Sequence, residues 1–122
     1  MLRGLKKTGR KIEATRLESW STPGVPDVIF CGESGRFSLA ELKISRSRTG
    51  PLRLSPHQVA WHSRHAHGDS FLIVRDSADD LCVYRSAAAV DLRMAGLDAV
   101  APLAVFPPPH DWEALFRLIC PA

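Results

Sequence analysis

Two acidic residues and a lysine have the types and the spacing of a divalent-metal site. Asp27 follows Pro26 at the start of a short apolar run, and Glu41 and Lys43 lie one residue apart in a second run. Side chains alternate across a strand, so Glu41 and Lys43 share one face. If the two runs pair as a hairpin, strands about 4.8 Å apart bring the two carboxylates together. Carboxylates this close repel each other and need a cation.

The chemistry that such a cation supplies is hydrolysis of a phosphodiester. Hard oxygen ligands with room for water suit Mg²⁺ or Mn²⁺. The bound ion can take a phosphate oxygen and acidify a bound water. Lys43 can then orient that water or stabilise the charge that grows on the phosphate. Two alternatives stay open: Asp27 as an ordinary turn residue, and Glu41 with Lys43 as an ion pair at a sheet edge.

The elements that must position these residues follow from apolar runs and turn residues. Strands are predicted over 11–18, 27–31, 36–45, 70–75 and 81–85, with turns at 32–35 and 76–80. A helix begins after the favoured N-cap Ser55 and runs to 67, before Gly68. Ser86 is expected to cap a helix that ends at Gly96, and Asp111 a last helix over 112–119. With a short helical turn at 2–9, this order predicts an α/β fold: one mixed sheet flanked by helices.

Length and composition exclude several classes of protein. The chain has 122 residues, 45% of them hydrophobic and 24% charged, which is ordinary for one globular domain and unlike collagen, coiled coils or wholly disordered chains. No apolar run approaches the ~20 residues of a membrane span, and the basic start of the chain has no secretory apolar run. Three widely spaced cysteines favour a reducing, cytoplasmic setting.

Positive charge is concentrated in the first half of the chain. Residues 1–66 contain 12 of the 16 Lys/Arg and only 5 of the 13 Asp/Glu. This asymmetry indicates a polyanionic partner, most often nucleic acid, with a solvated basic face as the alternative. The residues proposed to hold phosphates lie in the loop after Lys43 and near the start of the chain: Arg46, Arg48, Arg53, Lys6, Lys7, Arg10 and Lys11. The alternatives for them are an ordinary exposed loop and a solvated tail.

The same residues resemble a known family of nucleases. The segments GVPD and SLAELK resemble the PD-(D/E)xK nuclease superfamily, with Pro26-Asp27 as the first part of the motif and Glu41-x-Lys43 as the second. The continuation LSPHQVAW resembles the next motif of the VRR-NUC subgroup, and the chain looks most like its short stand-alone members from bacteriophages and bacteria. The resemblance spans about residues 10–85 and implies a restriction-endonuclease-like αβββαβ core, with 86–122 as accessory helices.

The resemblance implies a role for each site residue. Asp27 and Glu41 would bind Mg²⁺ or Mn²⁺, the backbone carbonyl of Leu42 would complete the coordination, and Lys43 would position the attacking water. Gln58 would lie beside the active site and support it, the alternative being a surface position on its helix. The family also has an upstream acidic residue, for which Glu18 fits better than Glu13.

The resemblance also implies an activity and its setting. The expected protein is a metal-dependent DNA endonuclease, selective for branched DNA such as a Holliday junction and acting as a homodimer in the cytoplasm of a bacterial or phage-infected cell. The apolar segments Val105-Phe106 and Trp112–Ile119 would form the dimer interface, or else would only close the core of the monomer. The alternative function is a non-catalytic nucleic-acid-binding module that retains the fold.

A third reading is a small zinc protein built on the histidine-rich helix. Its histidines are His57, His62, His65 and His67. The first three do not share clean i, i+4 spacing as a set, and no cysteine lies near them. A solvated or DNA-facing side of the helix is the expected role of these residues. Trp61 is expected in the core, with stacking on a nucleic-acid base as the alternative.

Overall fold

Six strands form one sheet whose spatial order follows the chain. The computed structural model describes residues 12–17 and 23–120. The strands are β1 (Glu13–Arg16), β2 (Val28–Cys31), β3 (Phe37–Ile44), β4 (Ser70–Arg75), β5 (Leu81–Arg85) and β6 (Ala104–Phe106). The helices are α1 (Pro56–Arg64), α2 (Ala89–Ala95) and α3 (Trp112–Ile119). All neighbouring strands are antiparallel except β3 and β4, which are parallel.

The predicted fold class is confirmed: the fold is α/β, with a mixed sheet flanked by helices. Parallel β3 and β4 need a crossover connection, and the loop after β3 together with α1 supplies it. The order βββαβ is present as the resemblance implied. The helical turn predicted at 2–9 lies outside the described residues. Within 12–17 and 23–120, no helix is long and apolar enough to cross a bilayer.

The two faces of the sheet have separate cores. On one face, α3 contributes Leu115, Phe116 and Ile119 to a cluster that includes Phe30 and Ala40. On the other face, α2 packs over Leu72 and Val74 of β4, with α1 beside it. The buried positions of α3 support the reading in which this helix closes the core of the monomer.

Strand alternation assigns the candidate site to the face of α1 and α2. Leu42 packs against the α3 cluster. Glu41 and Lys43 are in register with Leu72 and Val74, which belong to the opposite cluster. Glu41 and Lys43 therefore share a face, as the alternation predicted.

The helix α1 begins as predicted and ends earlier. Ser55 and Gln58 form a reciprocal capping box, in which the Gln58 N–H donates to Ser55 Oγ at 3.1 Å and the Ser55 N–H donates to Gln58 Oε1 at 2.9 Å. The predicted end at residue 67 is wrong, because His65 leaves the helical conformation. Its ring stacks on Trp61 with centroids 3.9 Å apart, and its Nδ1 lies 2.7 Å from the Trp61 carbonyl oxygen.

Two further predictions about the second half need correction. Ser86 does not cap a helix: it is buried, and its hydroxyl contacts His62 and Ser70 instead. A 3-10 turn at Ser86–Ala88 leads into α2, which has no side-chain cap. Strand β6 was not predicted, since its three residues are too few to show alternation. The cap on α3 is confirmed, because Asp111 Oδ1 accepts the Ala114 N–H at 3.0 Å.

Candidate active site

Asp27 and Glu41 lie opposite each other where the β2–β3 pairing stops. The last paired residues are Val28 and Ala40, so the next residue on each strand is one of the two acids. Pro26 comes next on the β2 side and has no N–H to continue the ladder. The freed Leu42 N–H donates instead to Asp27 Oδ2 at 2.9 Å. The hairpin expected from the sequence thus brings the two acids together.

Glu41 is a buried carboxyl with an unmet acceptor. Its exposed fraction is 1%, and its Oε1 has no hydrogen-bond partner in the described part of the chain. The pKa of Glu41 is raised from 4.5 to about 8, mainly by burial and then by the hydrogen bond and negative charge of Asp27, against the opposing charge of Lys43. A buried polar atom without a partner costs about 1–3 kcal/mol. Glu41 therefore lowers the stability of the fold, and stability does not explain why a glutamate is present here.

Lys43 is held by the first turn of α1. Its Nζ donates to Gln58 Oε1 at 3.1 Å, and the same oxygen accepts the Ser55 N–H. Gln58 therefore caps α1 and holds the ammonium group of Lys43 at once. The spacing S-x-x-Q at 55–58 is the capping-box pattern, and it is the local signal that predicts this orientation of Gln58.

The solvated or DNA-facing position expected for His62 is wrong, because His62 is buried next to the acids. It is fully buried on α1, and its Nε2 lies 3.9 Å from Glu41 Oε1. Burial lowers the pKa of His62 to about 4, with the positive charges of His65 and Lys43 acting in the same direction. His62 is neutral at pH 7 and Glu41 is largely protonated, so this contact is not an ion pair. The i, i+4 spacing of Gln58 and His62 was the available signal, since it puts both on one face of α1.

A chain of hydroxyl groups links His62 to β4. The Ser86 hydroxyl lies 2.6 Å from His62 Nδ1 and 2.6 Å from the Ser70 hydroxyl, which is also 3.2 Å from the His65 carbonyl oxygen. The other ring nitrogen of His62, Nε2, has no hydrogen-bond partner among the described residues. The site thus contains a carboxyl oxygen and an imidazole nitrogen facing each other, both unbonded.

The donor set fits a hard divalent cation. Two carboxylates, one of them with a free oxygen, stand beside the Leu42 backbone, and Mg²⁺ typically takes one or two protein carboxylates and keeps several waters. No group of three or more His, Cys, Asp or Glu gathers as a metal site within the described ranges. The zinc reading therefore finds no cluster there: His62 is buried and His65 is stacked on Trp61.

Of the two upstream acids, the structure describes Glu13, which lies away from the pair. Glu13 is exposed and pairs with Cys31, at the opposite end of β1 from Asp27. Glu18 lies outside the described residues. Leu17, just before it, donates its N–H to the Asp27 carbonyl at 2.7 Å. The role of Glu18 stays a prediction.

The three loop arginines have different surroundings. Arg48 Nη1 contacts Asp76 Oδ2 at 2.7 Å, and Arg48 Nε contacts Asp98 Oδ1 at 2.7 Å. Arg46 and Arg53 are exposed and form no ion pair within the described part of the chain. The other basic residues proposed to hold phosphates lie outside the described residues: Lys6, Lys7, Arg10 and Lys11. All these phosphate contacts stay predictions.

Comparisons with known proteins find similarity among solved structures. No family model matches the chain, and no curated protein matches it in sequence. A solved structure, Hjc, a Holliday junction resolvase from Archaeoglobus fulgidus, is similar at 20% sequence identity, with 70% of each chain covered and a TM-score of 0.47. A likeness of this extent does not show the function of this chain. Membership of the PD-(D/E)xK superfamily and of its VRR-NUC subgroup stays a prediction.

Proposed function

We propose that this protein is a metal-dependent endonuclease that hydrolyses phosphodiester bonds in DNA. The observation that carries the proposal is the buried Glu41, which lies opposite Asp27 with a free oxygen and shares its face with Lys43. An apolar residue of similar volume would be at least as stable at such a position. A bound cation accounts for the two acids, and the adjacent ammonium group suits a cation that works on a phosphate.

Each side chain has a role in this reaction. A divalent ion, Mg²⁺ or Mn²⁺, held by Asp27, Glu41 and the Leu42 carbonyl would polarise the phosphate and lower the pKa of a bound water. Lys43 positions the attacking water and faces the negative charge that develops on the phosphate. Gln58 fixes the Lys43 ammonium through the contact at 3.1 Å. Glu18 is the proposed additional acid.

The proposed substrate is branched DNA, and the proposed active form is a homodimer. A four-way junction presents two symmetric cuts, which a two-fold dimer matches. The exposed Val105 on edge strand β6 is available for such a contact. The proposed setting is the cytoplasm of a bacterial or phage-infected cell.

A cleavage assay tests the activity. Labelled single-stranded, duplex, flap, splayed-arm and four-way-junction DNAs are incubated with Mg²⁺, Mn²⁺ or EDTA. The wild type is compared with Lys43→Ala and with Arg117→Ala, a control that removes one positive charge from the exposed surface of α3. We expect metal-dependent cutting by the wild type and by Arg117→Ala, and none by Lys43→Ala.

Two results of this assay contradict the proposal. If the Lys43→Ala variant still cuts DNA, Lys43 is not needed for the reaction and the proposed site is not the catalytic site. No cutting of any DNA, together with binding that EDTA does not change, would favour the non-catalytic binding module. Light scattering on the protein with and without a junction tests the dimer. A 13.4 kDa species without DNA, together with a complex only 13.4 kDa heavier than the junction, would contradict it.

A further inference from the structure

The loop between β3 and α1 contains three arginines, and the structure divides them into two kinds. Arg48 is neutralised by Asp76 and Asp98, each at 2.7 Å. Arg46 and Arg53 are exposed and have no carboxylate partner among the described residues. One arginine therefore stabilises the loop, and the other two leave it with uncompensated positive charge.

The loop is held in place by the body of the protein. Leu52 is buried, and its N–H donates to the Leu92 carbonyl of α2 at 2.9 Å. Gly96, at the end of α2, lies so close to the loop that a Cβ there would come within 2.1 Å of the Gly50 carbonyl oxygen. Arg46 and Arg53 are thus presented by an ordered frame, which lowers the entropic cost of binding a ligand.

A cleft lies between the two uncompensated arginines. Its volume is about 510 Å³, and it is lined by Arg46, Arg53, Ser45, Ser47, Ile44, Pro51 and Leu52. The two serine hydroxyls are used within the loop: Ser45 Oγ donates to the Ser47 carbonyl at 2.7 Å, and Ser47 Oγ accepts the Gly50 N–H at 3.1 Å. No carboxylate lines this cleft. Two planar guanidinium groups match the oxygens of a phosphate, which arginine can bind through two parallel hydrogen bonds. The chemistry of the cleft is that of a phosphate site.

We propose that this cleft binds a second phosphate of the DNA strand that is cut. The proposal rests on the proposed nuclease function. Ser45 is still hydrogen-bonded to the Arg75 carbonyl, at 2.9 Å, so the chain stays extended after Glu41. Four residues at about 3.3 Å each put the cleft roughly 13 Å from the carboxylates. With about 3.4 Å of helix axis per nucleotide, the cleft reaches a phosphate roughly two to four nucleotides from the cut.

A consequence for the substrate follows from this distance. DNA must extend past the cut bond on the side of the loop to gain the second contact. Substrates that stop within one nucleotide of the bond on that side are therefore bound weakly, whatever their length on the other side.

A binding experiment tests the site without relying on cleavage. The double variant Arg46→Ala/Arg53→Ala is compared with Arg36→Ala/Arg117→Ala, which makes the same change in charge at two exposed arginines outside the cleft. Fluorescence anisotropy with a labelled single-stranded oligonucleotide in EDTA gives the Kd over a range of salt concentrations. Loss of the one phosphate that the two arginines hold lowers the slope of log Kd against log salt by about 0.7 in the first variant, and the control keeps the wild-type slope.

A cleavage experiment then tests the position of the site. Substrates are lengthened by one nucleotide at a time on either side of the bond. We expect kcat/KM of the wild type to rise when one side reaches two to four nucleotides, and Arg46→Ala/Arg53→Ala to lose this rise through KM.

Equal salt slopes in the two double variants would overturn the phosphate site, and an unchanged length dependence would overturn its position. If the wild type cuts nothing, the nuclease function fails, and the salt slopes still decide whether the cleft binds phosphate.

Discussion

Glu41 and Asp76 are both buried acids, and their surroundings are opposite. Both oxygens of Asp76 are bonded: Oδ1 accepts the N–H groups of Ala78 at 2.9 Å and Asp80 at 3.0 Å, and Oδ2 accepts from Arg48 at 2.7 Å. Glu41 is at least as buried, yet its Oε1 has no partner among the described residues. Asp76 thus has the bonding of a structural carboxylate, and Glu41 does not.

The difference in hydrogen bonding indicates that Asp76 stabilises the fold and that Glu41 serves the chemistry of the site. A buried carboxylate that accepts backbone N–H groups and an arginine stabilises the turn that it closes. A buried carboxyl without such donors raises its own pKa and destabilises its ionised form. The contacts of Asp76 link the β4–β5 turn to Arg48 in the loop between β3 and α1. Glu41 instead keeps one carboxyl oxygen available for a ligand. Substitutions at the two acids should therefore have opposite effects.

Replacing Glu41 by Gln should reduce cleavage by about a thousandfold or more, since a metal ligand supplies several kcal/mol of transition-state stabilisation. The change keeps the shape of the side chain and removes its charge. Single-turnover cleavage of the best DNA substrate measures the loss. Asp76→Asn is the matched control, and its folded fraction should cut at close to the wild-type rate. Equal losses in the two variants would contradict the assignment.

Replacing Asp76 by Ala should destabilise the protein by about 3 kcal/mol, because two backbone N–H groups and Arg48 lose their acceptor. Urea unfolding followed by circular dichroism measures the free energy of unfolding. Glu41→Gln, measured in EDTA, should leave that free energy unchanged or raise it. If Asp76→Ala lowers the free energy of unfolding by less than about 0.5 kcal/mol, Asp76 contributes no more to stability than an ordinary surface residue.

The stability of the metal-free protein should fall as the pH rises. The pKa of Glu41 is 4.5 in the unfolded chain and about 8 in the folded one. Between these values the unfolded state has lost the proton and the folded state has kept it, so Glu41 lowers stability by about 1.4 kcal/mol per pH unit. The decrease stops above about pH 8. Urea unfolding in EDTA from pH 5 to 9 measures it, and Glu41→Gln should remove this component.

Replacing Gln58 by Ala should have a smaller effect on both the stability and the cleavage rate. Loss of the capping box costs about 1 kcal/mol, and loss of the contact with Lys43 should lower kcat roughly tenfold. Gln58→Glu keeps an acceptor for the Ser55 N–H and for Lys43, so it should retain the cap and most of the rate. If Gln58→Ala lowers stability while kcat and its pH profile stay unchanged, Gln58 is only a cap.

Much of the candidate site could be predicted because its rules are local. Alternation along 37–44 puts Glu41 and Lys43 on one face, and the turn at 32–35 pairs the strands so that Asp27 meets Glu41. The Ser55 cap starts α1 where the pattern places it. Each of these relations needs only neighbours within one strand, one turn or one helix.

Only the tertiary structure decided which residues from distant parts of the chain contact the site and the loop after β3. His62 lies beside Glu41 because the crossover helix packs on that face of the sheet, and Ser86 turns from a helix cap into a partner of His62. Arg48 meets Asp76 and Asp98, 28 and 50 residues along the chain, while Arg46 does not. Contacts over such separations leave no periodic signal in the sequence, because the packing of whole elements, rather than local backbone geometry, brings them together.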